Sequence, residues 1–307
     1  MARSKTATVA PARKPKKQYK LLFMVLPFMV IVLLFNYVPI FGWIYSVFDY
    51  VPGVPILECD FMGLDYFKMI MKDANVIRAL KNTFIFAGIS IILTPLPMIF
   101  AILLNELRGK VFKSAVQTIS YIPHFLSVVV ICSMLNGFGS TTGLFNDIRD
   151  LLGMARVDMN NGSQYFLPLY LGSQVWQTVG WSSIMYLSAL SNVDVTLYDV
   201  ANIDGANRWQ KIKNIIWPTI KPTTTILLIM NLGNVLNSDY TKILLMQNDT
   251  NRSQLEVIGT FVYQKGIVEG KFSYAAAVNL FISVIGFALV FGANMITRKI
   301  NPENSLW

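Results

Sequence analysis

The chain reads as an all-α polytopic membrane protein with six transmembrane helices and both termini in the cytoplasm. Three observations predict this. Of 307 residues, 54% are hydrophobic and 14% charged, where a soluble chain keeps roughly a quarter charged. Long stretches carry no formal charge: 28 residues between Lys20 and Asp49, 24 between Lys81 and Glu106, 33 between Lys113 and Asp147, 35 between Asp158 and Asp194, and 26 between Lys271 and Arg298. About 20 apolar residues cross the hydrocarbon core as a helix, so each stretch can hold one span. Finally, Lys and Arg are distributed unevenly. With the N-terminus inside, residues 1–20 hold seven, 106–113 three, 191–222 four and the C-terminus two, 16 of the 26 in the chain. The positive-inside rule then puts both ends in the cytoplasm, as an even number of spans requires.

The elements follow in order. Residues 1–19 form a basic, disordered cytoplasmic tail that is drawn to anionic headgroups. The first span, 20–46, follows a basic segment as a signal peptide would. It is too long for that role and lacks a small-residue cleavage site, so it stays as an anchor. Residues 64–81 form an amphipathic helix leading into the second span, 80–105. The third and fourth spans run 114–136 and 164–190. The fifth is shorter: 17 uncharged residues separate Lys221 from Asp239, roughly 25 Å of helix. Because apolar residues resume at Ile243–Met246, it extends over 222–245, with Asp239 and Lys242 spaced to pair on one helix face near the bilayer surface. The sixth span runs 274–297. Segments 47–79, 137–163 and 246–273 lie outside, and Cys59 and Cys132 fall in different settings, so no disulfide is expected.

Most chemistry is excluded. One histidine, His124, and two separated cysteines make no zinc site or catalytic His pair, and His124 has a structural role inside the third span. Gly137–Gly143 (GFGSTTG) lacks the Gly-Lys-Ser/Thr ending of a phosphate loop and is expected to be a flexible outer loop. Every Asp and Glu falls outside or at the rim of a span, which disfavours a proton relay. The net charge of +9 sorts topology and does not imply nucleic acid. Uncharged polar residues do enter the spans. Asn231, Asn234 and Ser238 share one face of span five, with Asn237 beside it. Span four carries Gln174, Trp176, Gln177 and Trp181, and span six Asn279 and Ser283. Amides and indoles suit a neutral, hydroxyl-rich ligand. They serve equally as hydrogen bonds between helices, at about 0.6 kcal/mol each, and both roles stay open.

Residues 199–222, DVANIDGANRWQKIKNIIWPTIKP, interrupt the hydrophobic pattern between spans four and five. Asp199 stands near the start of a helix, where acids favour the dipole. Gly205 permits a turn. A second helix runs from about Asn207 to Trp217, with Trp209, Ile212 and Ile216 on one face. Pro218 ends it, and Pro222 opens span five.

This stretch resembles the "EAA" loop of ABC importer permeases: Glu-Ala-Ala, three residues, Gly, nine residues, Ile-x-Leu-Pro. Asp199-Val-Ala201 stands at the triplet, Gly205 at the required offset, Ile215 and Pro218 at the end. Asp199, Val200 and Trp217 depart from the pattern, and Asp keeps the charge on a shorter arm. Ile203–Trp209 is similar to the carbohydrate-uptake branch, the maltose-type and LplB-like permeases. The resemblance implies a first helix and outer loop over 20–76, a type-1 transmembrane domain over 77–298 with its coupling loop at 191–222, and a cytoplasmic C-terminus at 299–307. It implies that Asp199, Ala201, Asp204, Gly205, Ala206, Trp209, Ile215 and Pro218 dock on a separate ATPase. It further implies two ATPase subunits, a second homologous permease in a heterodimer, an extracellular solute-binding protein and a carbohydrate substrate, with no cofactor in this chain. The rival classes, an ion-coupled secondary carrier or a membrane-embedded enzyme, need buried acids, histidines or a metal cluster that the spans lack.

Overall fold

The computed structural model describes residues 19–107, 109–234, 236 and 240–300. Its regular elements are helices, and the one β-bridge among the described residues joins Phe48 and Phe61. The chain divides into two compact units, the first ending at Ile44 and the second beginning at Tyr45.

Helix α1 covers Tyr19–Val32; the chain then widens into a π-turn over Leu33–Tyr37 and tightens into 3-10 geometry over Val38–Val47, whose last three residues belong to the second unit. The expected span is therefore helical but not uniformly α. Pro39 cannot donate to the carbonyl four residues back, and the change of winding begins just before it.

The second unit begins with α2 (Asp65–Ile70), α3 (Ala74–Leu93) and α4 (Pro95–Glu106). The amphipathic helix expected over 64–81 is split, because the Asp73 carboxylate caps α3 by accepting from the Asn75 N–H at 2.9 Å. The third expected span is also divided. Helix α5 (Lys110–Tyr121) passes into a 3-10 turn at Ile122–Phe125, Leu126 is extended, and Ser127 caps α6 (Val128–Gly139). Pro123 explains the break.

The stretch after α6, expected outside, is tightly held. The buried Asn146 of α7 (Leu144–Leu151) donates to the carbonyls of Ser140 and Val157 at 2.7 and 2.8 Å and accepts from the Val157 N–H at 2.9 Å. Arg156 adds ion pairs to Asp147 and Asp150. Gly137–Gly143 thus comprises the end of α6 and a cross-linked turn rather than a flexible loop.

Next come α8 (Ser163–Ser191), α9 (Val195–Ile203), α10 (Arg208–Lys211), α11 (Trp217–Asn234), α12 (Tyr240–Met246), α13 (Arg252–Leu255), α14 (Ile258–Tyr263) and α15 (Phe272–Ile300). Among the described residues, four helical stretches are long and apolar enough to cross a membrane: Leu22–Val47, Ala74–Glu106, Val128–Leu151 and Phe272–Lys299. Helices α8 and α11, where two further spans are expected, fall below that apolarity, because α8 carries amides and serines and α11 three successive threonines.

Three apolar clusters hold this unit together. One joins α2, α3, α14 and α15 through Ile70, Val76, Phe261 and Val278. A second joins α3, α6, α8 and α12 through Phe86, Cys132, Tyr170 and Ile243. The third joins α4, α8 and α11 through Ala101, Tyr186 and Ile220. Between the second and third lies a cavity.

Candidate functional site: an interhelical cavity and an exposed loop

The cavity has a volume of about 590 Å³ and is bounded by α3, α4, α8 and α11. Helix α8 contributes Tyr170, Gln174, Thr178, Trp181, Ser182 and Tyr186. Steps of four residues place Gln174, Thr178 and Ser182 on one face. Ser90 and Thr94 face it from α3 and its C-cap, and Asn231 from α11. The wall therefore mixes hydroxyls, amides and aromatic rings. Trp181 is fixed by stacking on His124, ring centres 4.5 Å apart and planes 4° from parallel. The packing that holds α8 in place is close: a Cβ on Gly180 would stand 2.1 Å from the Ser120 carbonyl oxygen of α5.

Of the polar residues singled out in the sequence, Gln174 and Asn231 line this cavity. Gln177 is buried behind it, donating to the Leu126 carbonyl at 3.4 Å. Trp176 is 49% exposed and not part of the wall, and Asn279 is exposed, its carbonyl accepting from Ser283. Asn237 and Ser238 lie outside the described residues, and Asn234 is the last residue of α11. Lys242 differs most from expectation. It is fully buried within the protein, with Nζ 3.3 Å from Gln174 Oε1 and 3.4 Å from Gln177 Oε1; its expected partner Asp239 lies outside the described residues. A lysine directly ahead of the apolar run Ile243–Met246 was the signal available in the sequence.

The loop between α8 and α11 is built from local rules. Asp194 caps α9, accepting from the Thr196 N–H at 2.9 Å, and this bond holds its carboxyl below the usual range. Asp199 is accordingly in the middle of α9, not near its start. Helix α9 ends in a Schellman turn: the Ala206 N–H reaches the Ala201 carbonyl at 2.8 Å and the Gly205 N–H the Asn202 carbonyl at 3.2 Å. Gly205 has φ +69°, which only glycine adopts freely. A reciprocal cap follows, with Asn207 Oδ1 accepting from the Gln210 N–H and Gln210 Oε1 from the Asn207 N–H, at 2.9 and 2.7 Å. Lys211 ties the second helix back to Asn202.

Pro218 does not end that helix. The Trp217 N–H reaches back five residues to Ile212, forming a π-turn over Ile212–Ile216 that absorbs the proline, and the chain continues into α11. The Thr219 hydroxyl donates to the Ile215 carbonyl at 2.8 Å. Asp204 is the C-cap of α9. Only Tyr198 and Ala201 of α9 turn inward; Val195, Leu197, Val200, Ile203 and, beyond the turn, Trp209 are exposed.

The sequence model described as "Binding-protein-dependent transport system inner membrane component" matches residues 93–302. The chain belongs to that family. The permease is 35% identical over 290 residues to Protein LplB of Bacillus subtilis, covering 94% of this chain and 91% of the relative. It is 36% identical over 291 residues to the polygalacturonan/rhamnogalacturonan transport system permease protein YteP of the same organism, covering 94% and 90%. Among solved structures, a bacterial ABC transporter involved in the import of the acidic polysaccharide alginate superposes with a TM-score of 0.85 at 33% identity, covering 93% of this chain and 97% of that one. A second structure of an alginate transporter, in complex with a periplasmic protein bound to alginate pentasaccharide, superposes equally well. The protein is thus a permease subunit of a multi-pass, cell-membrane transporter, a transport component rather than an enzyme.

Proposed function

We propose that this permease imports fragments of a polysaccharide, with six spans, both termini in the cytoplasm and the loop 191–222 docked on an ATPase. The transmembrane domain is 77–298 in this reading. The partners are two ATPase subunits, a second homologous permease and an extracellular solute-binding protein. The observation that carries the docking assignment is the exposed apolar surface of the loop, where Ile203 is 85% and Trp209 72% exposed. Water alone gives no reason for a rigidly capped helix pair to hold such groups outward, and an apolar cleft on a partner does. Asp199, Asp204, Ile215 and Pro218 lie along the same segment. The uncharged polar wall of the cavity, with its indole and phenol rings, supports a saccharide as cargo, as do the substrates named for YteP and the alginate transporter.

The test is assembly. Co-expressed with its ATPase, the wild-type permease should co-purify with it, and Ile203→Asp or Trp209→Asp should release the ATPase while the permease stays in the membrane. Retention of the ATPase by both variants would overturn the docking assignment.

A further inference from the structure

A second cavity, with a volume of about 780 Å³, lies wholly within the second unit, where α3 and α15 begin. Asp73, the N-cap of α3, accepts from the Tyr274 hydroxyl in the first turn of α15 at 2.8 Å. Both helices belong to stretches long and apolar enough to cross a membrane. Their paired starts put the cavity at the level where hydrocarbon gives way to headgroups.

The wall carries both signs of charge, Asp49 and Asp73 against Lys72, Lys265 and Lys271. Among the described residues no ion pair joins these acids to these lysines. The acids are held by tyrosines instead. Tyr66 donates to Asp49 Oδ1 at 2.7 Å and Tyr274 to Asp73 Oδ2, and the two rings are buried with centres 6.2 Å apart. Asp49 Oδ2 takes no hydrogen bond from a described residue. Two of the lysines are held from outside the wall: Glu269 pairs with Lys265 at 2.8 Å and with Lys271 at 3.1 Å. Two ammoniums on one carboxylate leave a net positive charge there. Cationic and anionic groups are thus fixed separately and face the same space. A simple anion would meet two carboxylates in it, and a simple cation three ammoniums. A ligand that carries both signs satisfies both halves. At this level of a membrane that ligand is a zwitterionic headgroup. Its phosphate suits lysines. A primary ammonium, with three N–H donors, suits the carboxylates and the rings of Tyr50 and Phe272, whose centres are 6.3 Å apart. A quaternary ammonium has no N–H to donate.

We propose that this cavity binds the headgroup of an aminophospholipid, its phosphate on Lys72, Lys265 and Lys271 and its primary ammonium on Asp49 and Asp73. Val51, Pro52 and Met69 line the same space and receive the glycerol and the first acyl carbons. The site is separate from the interhelical cavity and adds a lipid to the partners of the permease without bearing on its cargo.

The experiment uses the delipidated complex of permeases and ATPases in detergent, with bound lipid counted by native mass spectrometry. Dioleoyl phosphatidylethanolamine, phosphatidylcholine and phosphatidylglycerol are titrated in turn. The ethanolamine lipid should bind at one site about tenfold more tightly than either of the others, the share of one charge-assisted hydrogen bond. The double variant Asp49→Asn, Asp73→Asn keeps an acceptor for each tyrosine and a cap for α3, so it should fold. It should bring the ethanolamine-to-choline ratio close to one with choline-lipid affinity unchanged. Lys72→Gln with Lys271→Gln should weaken both lipids alike, since both carry the phosphate. Soluble glycerophosphoethanolamine separates lipid from free zwitterion. It should bind about a hundredfold more weakly than the lipid, the share of roughly three or four buried methylenes, and equal affinity would overturn the membrane as the source. Equal binding of the ethanolamine and choline lipids by the wild type, or a ratio unmoved in the double Asn variant, overturns the proposal and leaves the import reading intact.

Discussion

The loop 194–217 and the helices α8 and α11 break opposite rules. The loop lies in a charged stretch and turns Val195, Val200, Ile203 and Trp209 outward; the helices lie in an apolar stretch, line a cavity with Gln174 and Asn231, and bury Gln177. Stability alone would reverse both choices, hiding the apolar groups and expelling the amides. On the proposed function, each region keeps what a second molecule meets: an apolar partner at the loop, a polar cargo in the bundle.

If this contrast holds, the bundle should fail by packing and the loop by presentation. The largest effect is expected at Gly180, where a side chain would collide with the Ser120 backbone and force α8 away from α5. Gly180→Val should destabilise by about 3 kcal/mol or more, the upper range of overpacking, read as lost yield and a lower melting temperature of the purified complex. A melting temperature equal to wild type would mean that the helices can part at no cost and that the cavity wall is not rigid.

Gly205 is the loop's counterpart, with a different physical origin. A Cβ there meets open space, so only the positive φ resists substitution. Gly205→Leu should cost roughly 1–2 kcal/mol, confined to the turn. We expect full membrane insertion, a melting temperature lowered by no more than a few degrees and severely reduced uptake. Gly205→Asn, which tolerates this conformation, should retain most of the uptake. Equal uptake by the Leu and wild-type proteins would show that the Schellman turn does not set the angle of the docking surface.

The same contrast explains what could be read without coordinates. Gaps between charges locate helices well, because hydrocarbon tolerates little else, and Gly205 was legible because a left-handed turn has few other solutions. Winding was not. The Pro218 stop fails because a π-turn five residues wide spares the carbonyl a proline would clash with, and nothing in the composition of Ile212–Ile216 announces it. The burial of Lys242 was not legible for a related reason: charge counting says nothing of which neighbours cover a lysine near a span end, and that depends on where α12 packs. The cavity-lining series Gln174, Thr178 and Ser182 was legible as a face of α8. That Asn279 faces away from it was not, since periodicity fixes a face but not its neighbour.

Within the bundle, Asn231→Leu should be milder than either glycine change. Asn231 is exposed to the cavity rather than packed, so stability should shift by no more than about 0.5 kcal/mol. Uptake should change several-fold in KM while the ATPase still co-purifies. Unchanged uptake kinetics would assign the amide to helix association instead of cargo.

The one change expected to stabilise tests the boundary between the two regions. Tyr198 is on the loop helix α9 but inserts into the third apolar cluster, beside Met98, Ile102 and Leu187. Its hydroxyl is the one buried side-chain polar atom without a hydrogen-bond partner among the described residues, although Asn105 and Glu106 at the end of α4 are near. Leaving such a group unpaired costs about 1–3 kcal/mol. If this conformation were the only one that mattered, Tyr198→Phe would relieve that cost, raising the melting temperature by a few degrees with uptake unchanged. A transporter has a second conformation, however, and a hydroxyl next to an amide and a carboxylate needs only a small shift of α9 to find a partner there. In that case Tyr198→Phe should stabilise the resting complex and slow uptake together. Faster or equal uptake with higher stability would instead confine Tyr198 to packing, and the loop would then act through its outward surface alone.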